Sequence, residues 1–437
     1  MLIACLCSVF VSSCNRTVSQ SIVAPTFSDN PINIKIAGDK SLLGPCEPSI
    51  CIDPNNNDRI IAGSILDRLH ISNDGGKTWE NSKLKSPFGV YGDPVVRIDN
   101  ESNIYFSHLS NPAGKAYASD EFLDRIVVQV SKDDGKTFSD GASPHPNGGI
   151  KDQDKQWLYT DAKSGNVLMT WTEFDKYASK EAEDKSRILF SKTMDKGSTW
   201  TSPVSISDLE GDCIDDDNTT EGAVPVMDDE GNIFVVWAFN NLLYLDKSTD
   251  GGVTWGKDLE IEQQFEGWSL DIPGVNRTNG MPILGIDKSN KKHHGNMYVN
   301  WSDQKNGKDD TDIWIIKSTD GGNNWSDRIR VNDDLPGKHQ FFSWMDVDPV
   351  TGYIYIVFYD RRNHDDTKTD VYLAYSTDGG ESFSNKKISE SPFTPDNRIF
   401  FGDYNDISAY NGMIRPIWTR YEDQSLSVWT ALVLIQE

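Results

Sequence analysis

Basic residues are scarce in this chain: 42 Lys and Arg stand against 67 Asp and Glu, a formal net charge of −25 over 437 residues. A chain with that balance lacks the basic footprint that a phosphate backbone requires, which excludes nucleic acid as a partner. It does not exclude an anionic sugar, because a few arginines inside a cleft act locally whatever the global sign. Long helical periodicities are missing, and helix bundles go with them. Long hydrophobic runs are missing too. Leu2 to Val11 is apolar for roughly ten positions, against the ~20 that span a bilayer as a helix. Cysteine is sparse and unpaired. Of six, Cys5 and Cys7 lie in that apolar run and Cys14 stands three residues beyond it. Cys46, Cys51 and Cys213 remain, an odd number without metal-ligand spacing. On one extended strand Cys46 and Cys51 would lie too far apart to bridge, so all three read as structural.

The N-terminus reads as a processing segment. Val11-Ser12-Ser13-Cys14 resembles a bacterial lipobox, with Cys14 as the lipidated first residue of the mature chain, although no Lys or Arg precedes the apolar run. The expected division is a signal peptide over 1–13, a lipidated polar tether over 14–30 and one folded domain over 31–437. The implied location is a bacterial outer membrane or periplasm, with membrane contact through the lipid alone.

What the chain does have is repetition. The pattern Ser/Thr-x-Asp-x-Gly-x-Thr/Ser-Trp/Phe begins at Ser72, Ser131, Thr193, Ser248, Ser318 and Ser376, the fifth copy having Asn324 at the Thr/Ser position. These are Asp boxes. In each, aspartate accepts amide hydrogens across a hairpin turn, glycine supplies positive φ, and the aromatic ring packs beneath. Copies roughly 55–70 residues apart imply blades or solenoid units. Two short apolar strands precede each box, as in Val224–Met227 with Ile233–Trp237 and Trp344–Val347 with Ile354–Phe358. A seventh pair, Asp406–Ala409 with Ile414–Trp418, is followed by a third strand near Leu426–Ala431 and no box. The lone early strand Ile32–Ile36 is placed to supply its outer partner. The expectation is an all-β, seven-bladed β-propeller closed by the two terminal strands, with a six-bladed ring as the alternative.

In a four-stranded blade the box joins the third and fourth strands, so all boxes share one face. Ligands are expected on the other, where the lead-in to each first strand and the second-to-third-strand turns gather. The lead-ins carry Glu47, Asp93, the Lys151–Trp157 segment, Glu221, Arg277, His339 and Gly402-Asp403-Tyr404. The turns carry Asp67-Arg68, His108, Glu173 with Asp175, Asp303, Asp360-Arg361-Arg362 and Arg420-Tyr421.

The boxes and the blade pattern resemble the sialidase-like, or BNR-repeat, propeller families across nearly all of the mature chain. That resemblance implies carbohydrate chemistry, often on acidic sugars. Sialidases use three arginines for a carboxylate, a tyrosine nucleophile with a glutamate beside it, and an aspartate acid/base. By resemblance Arg277, Arg361 and Arg420 stand for the arginines, Tyr404 or Tyr359 for the tyrosine, Glu221 for its partner and Asp93 for the acid/base. Arg362, Lys155 and Asp403 are added as substrate-binding candidates. The Arg-Ile-Pro motif that sialidases place before their first box is absent. The fold also resembles propeller enzymes that cut uronate polysaccharides by β-elimination, for which His339 or Tyr404 would be the base. The expected function is therefore degradation of an acidic oligo- or polysaccharide bearing uronate, sulfate or sialate. Hydrolysis is slightly favoured, with lyase or dehydratase chemistry next and a non-catalytic glycan-binding or assembly propeller as the third reading. No cofactor is expected, and the spacing is silent on calcium.

Overall fold

A computed structural model describes residues 26–27, 31–40, 44–144, 151–433 and 435–436. The signal segment and Cys14 lie outside the described residues. Seven antiparallel sheets succeed one another along the chain. Blade 1 runs Ser49–Asp53, Asn56–Ser64, Arg68–Ser72, Glu80–Lys83, and blade 2 runs Val95–Ile98, Ile104–Leu109, Ile126–Ser131. Blade 3 comprises Asp152–Thr160, Val167–Phe174, Ser186–Thr193, Val204–Ser205, and blade 4 Glu221–Met227, Ile233–Phe239, Leu242–Ser248, Leu259–Gln263. Blade 5 comprises Ile283–Ile286, Met297–Asp303, Asp312–Ser318, Ile329–Arg330, and blade 6 Gln340–Val347, Ile354–Asp360, Asp370–Ser376, Ser384–Lys387. Blade 7 takes Asp406–Tyr410, Met413–Glu422 and Ser425–Leu432 from the end of the chain and Ile32–Asp39 from its start.

Every blade has a blade on each side, so its inner strands are covered on both faces and read as continuous apolar runs rather than alternating ones. Ile104–Leu109, Val167–Phe174 and Ile354–Asp360 are buried throughout. Outer strands face water on their rim and are polar, as in Glu80–Lys83. In blade 2 the fourth strand shrinks to one bridge, Val128 with Ala142.

The ring closes as the strand count implied. Ile32–Asp39 pairs antiparallel with the third strand of blade 7, Ile32 opposite Leu432 and Asp39 opposite Leu426. Ile36 packs with Ile50, Ile417 and Val428, which ties blade 7 to blade 1. Thr26–Phe27, within the segment read as a tether, also pairs with Ile435–Gln436. Deleting residues up to Asp39 should leave the Ser425–Leu432 edge unpaired. The expected outcome is a lower urea midpoint and concentration-dependent association in sedimentation, since exposed strand edges recruit other chains.

The Asp boxes occupy the third-to-fourth-strand turns. In the first, Asp74 accepts the Thr78 amide at 2.9 Å and the Thr78 hydroxyl at 2.7 Å, and Gly76 at φ 91° donates its amide to Ser72 Oγ at 2.8 Å. Those two Thr78 bonds hold the Asp74 carboxyl down to about 2. The box aspartates are thus ionised turn staples, their oxygens already engaged.

Candidate functional site

At the opposite end of the axis the lead-ins converge. Several hold a residue in left-handed backbone conformation just before or within the first strand: Glu47 (φ 49°), Asp93 (47°), Lys155 (53°), Phe342 (51°) and Gly402 (95°). Register shifts at Asp154/Trp157, Glu221/Val224 and Phe341/Trp344 mark bulges at the same level. A bulge re-aims its side chains out of the ladder, and here several are re-aimed towards one centre.

Lys155 is that centre. Its ammonium donates to Asp403 at 2.6 Å and to Asp93 at 3.4 Å. Arg277 engages Asp403 through Nε at 2.8 Å and again through Nη2, and reaches Asp215 through Nη1 at 2.5 Å. Asp403 takes part from its backbone as well, donating its amide to Glu47 at 3.1 Å and accepting Asn279 at 2.9 Å. Asp215 further accepts the Tyr177 hydroxyl at 2.7 Å and Trp268 Nε1 at 3.3 Å. Blades 1, 2, 3 and 7 and the connections that enter blades 4 and 5 thus share one network.

Burial sorts the charges. It opposes charge on Asp403, but Arg277 and Lys155 outweigh it and depress that carboxyl. Burial likewise opposes charge on Lys155 and Arg277, and their carboxylate neighbours hold both firmly protonated. Glu47 and Glu221 are pushed well up, chiefly by burial, then by Asp93 and Asp215 respectively. Among the described residues neither Glu221 carboxyl oxygen, both buried, has a hydrogen-bond partner. Asp154, whose Oδ1 accepts the Lys155 amide at 2.7 Å, is raised to about 8 by burial and by Asp93, with Lys155 opposing. The site therefore sets Asp403, a carboxylate held charged by two cations, beside carboxyls whose acidity burial weakens, Asp154 to about 8. Such environments are how proteins prepare groups for proton transfer.

Tyr404 stands behind this network. Its ring meets Trp157 edge-on at 5.1 Å and lies 6.1 Å from Trp344, the two tryptophans being 4.4 Å apart. Its hydroxyl has no partner, and burial, with Asp93 and Glu47 near, holds the phenol protonated, the reverse of what a tyrosinate nucleophile needs. Trp344 also lines a cavity of about 650 Å³ that runs along the axis and opens among first-to-second-strand turns at Asn55, Asn100 and Lys163. An aromatic plug thus separates the carboxylate network from the channel on the box face.

The remaining candidates stand apart from this centre. His339 and Arg361 form a second group: the Arg361 amide donates to the His339 carbonyl at 3.1 Å, and His339 Nδ1 lies 3.0 Å from Thr311 Oγ1. Arg361, only 3% exposed, donates to the Pro273 carbonyl at 2.8 Å and to Thr369 at 3.1 Å, and its Nη2 is buried without a partner. Among the described residues it has no ion-pair partner, and burial lowers it to about 10. Burial, then Arg361, lowers the His339 imidazole, which favours its neutral form. Arg362 is spent on Asp360 at 2.7 Å and on Asp333, and Arg420 on Glu422 and Ser391. The Tyr359 hydroxyl is held by Thr419, donating to its carbonyl at 2.6 Å. Sequence reasoning did not assign roles to Asp154, Asp215 or Tyr177. Asp154 adjoins a chosen lysine, but Asp215 sits in the run Asp215-Asp216-Asp217, which reads as solvated surface charge.

No known protein family matches the chain by its profile, and no curated protein matches it. Solved structures do. A protein of unknown function from Dyadobacter fermentans aligns over 92% of this chain and 98% of its own, with 13% identity and a TM-score of 0.52. The PL25 ulvan lyase bound to -[GlcA(1-4)Rha3S]- aligns over 94% and 98%, also with 13% identity, at 0.55. The Hadza microbial sialidase Hz136 aligns over 86% and 73%, with 12% identity, at 0.49. At such identities the first two establish a shared fold.

Proposed function

We propose that the protein hydrolyses a glycan at the lead-in end of its axis, with Asp154 as general acid and Asp93 as the partner carboxylate. The observation that supports this best is a buried Asp154, raised to about 8 by burial and by Asp93, whose Oδ1 accepts the amide of the same Lys155 that binds Asp93. Two carboxyl groups whose environments differ can divide the labour of glycoside cleavage. Asp154 would pass its proton to the glycosidic oxygen as the bond to the anomeric carbon breaks. Asp93 would take a proton from the water that attacks that carbon. Lys155, braced by Asp403, fixes Asp93 between the two events. The glycan itself is proposed from the Asp boxes and from the shared fold. An acidic sugar is proposed because Arg361 keeps a buried guanidinium donor that no carboxylate of the described residues satisfies.

A second reading has its own observation. Arg361 beside a neutral His339 suits β-elimination, in which a cation neutralises a uronate carboxylate and a base removes the adjacent proton. The likeness to a lyase seen with a glucuronate-containing ligand favours the same chemistry. A product screen on ulvan, polygalacturonate and a sialylated glycan separates the two. Hydrolysis is expected to give fragments whose masses sum to the substrate plus one water, without new ultraviolet absorbance. An unsaturated, absorbing product that survives Asp154→Asn and vanishes in His339→Ala would replace the first reading with the second.

A further inference from the structure

We infer that Tyr117 is a sugar-stacking platform at the rim of the carboxylate site, taking the face of a pyranose ring next to the bond that is cut. This rests on the reading that a glycan is cut at the carboxylate network.

Tyr117 is 73% exposed, the one aromatic residue among the large exposed apolar side chains of the described residues. It is nonetheless held in place. It lies in the second-to-third-strand connection of blade 2, on a single 3-10 turn, Ala116–Ala118. That turn is fixed by the Ala118 amide on the Lys115 carbonyl at 3.1 Å and by the Ala116 amide on Asn111 Oδ1 at 3.1 Å. The ring sits edge-on to Phe122 at 4.6 Å, and Phe122 is itself edge-on to Tyr91 at 4.6 Å. On another side Tyr117 lies roughly parallel to Tyr177 at 6.4 Å, the same Tyr177 that donates to Asp215.

A large ring left in water by a loop that could turn it inward, while its turn and its neighbours immobilise it, is prepared to cover something flat. Sugar rings present C–H faces of that size with hydroxyls at the edge. An aromatic face buries the C–H side while the polar rim stays with water and carboxylates. Because the ring is already ordered, a ligand meets little entropic cost in using it.

The test is gel affinity electrophoresis through ulvan, polygalacturonate and a neutral β-glucan, on wild type, Asp154→Asn, Tyr117→Ala and Tyr117→Trp. Thermal melts of all four confirm folding, which an exposed side chain should not disturb. At least one acidic polysaccharide is expected to retard wild type and Asp154→Asn alike. Tyr117→Ala should weaken that about 5–10-fold in apparent Kd, the worth of one stacked ring, and Tyr117→Trp should restore it. Where a product forms, the alanine change should raise KM far more than it lowers kcat. Equal retardation of wild type and Tyr117→Ala, or retardation of wild type by none of the three polymers, overturns the platform. Retardation that depends on Tyr117 without any cleavage overturns the enzymatic reading and leaves the platform standing.

Discussion

Asp154→Asn is expected to slow glycan cleavage by about 10²–10⁴-fold, the span that a positioned general acid contributes, with the fold intact. The fold should survive because the native carboxyl already carries its proton at neutral pH, and the amide reproduces its shape. Only the transferable proton is lost. The pH dependence has a definite sign. Burial, then Asp93, raises Asp154 to about 8, and an acid catalyst works only while protonated. The rate constant kcat/KM should therefore fall as pH rises through about 8, and Asp154→Asn should abolish that limb. A substrate whose leaving group needs no protonation, such as an aryl glycoside with a very acidic phenol, should lose far less in the variant. A wild-type profile that rises through pH 8 would mean that Asp154 acts as a carboxylate, and the assignment of its role would be wrong.

How much of this was legible in the sequence depends on how local the cause is. The Asp boxes are local chemistry, eight residues closing a turn on themselves, and Ser72, Asp74, Gly76 and Thr78 bond within one hairpin. The seventh blade was legible because Asp406–Tyr410 and its followers lacked an outer strand while Ile32–Ile36 lacked a partner. The convergence of Asp93, Lys155, Glu221, Asp403 and Tyr404 followed from their places before first strands. Their pairing did not, since Lys155 and Asp403 stand 248 residues apart. Charge partners were the least legible feature. Asp360-Arg361-Arg362 offers two arginines to one aspartate, and only the backbone decides that Arg362 takes it and Arg361 is left without one among the described residues. Asp154 stood in the Lys151–Trp157 lead-in but received no role, because its raised pKa depends on burial beside a bulge, which no residue pattern announces.

Asp403→Asn should be the most destabilising single change at this site, at about 3–5 kcal/mol, the range for breaking a buried ion pair from one side. Asp403 has no exposed side-chain surface and holds both Lys155 and Arg277. With an amide in its place Lys155 and Arg277 lose the carboxylate they share, and the amide nitrogen adds a donor where acceptors are needed. The pH dependence follows from linkage. Asp403 has its folded-state carboxyl depressed below the ordinary 3.8 by Arg277 and Lys155, which outweigh burial. Its contribution is thus fully present above the unfolded value and is lost as pH falls through the lower folded one. Urea unfolding at pH 7 should separate wild type from Asp403→Asn widely, and the gap should narrow only well below pH 4. Lys155→Met combined with Asp403→Leu should recover part of the loss, because removing both charges also removes their desolvation cost. A midpoint for Asp403→Asn within about 1 kcal/mol of wild type, unchanged into acid, would mean that the network is solvated in solution. Asp154 would then have no low-dielectric wall to hold its proton, so this stability measurement also bears on the catalytic assignment.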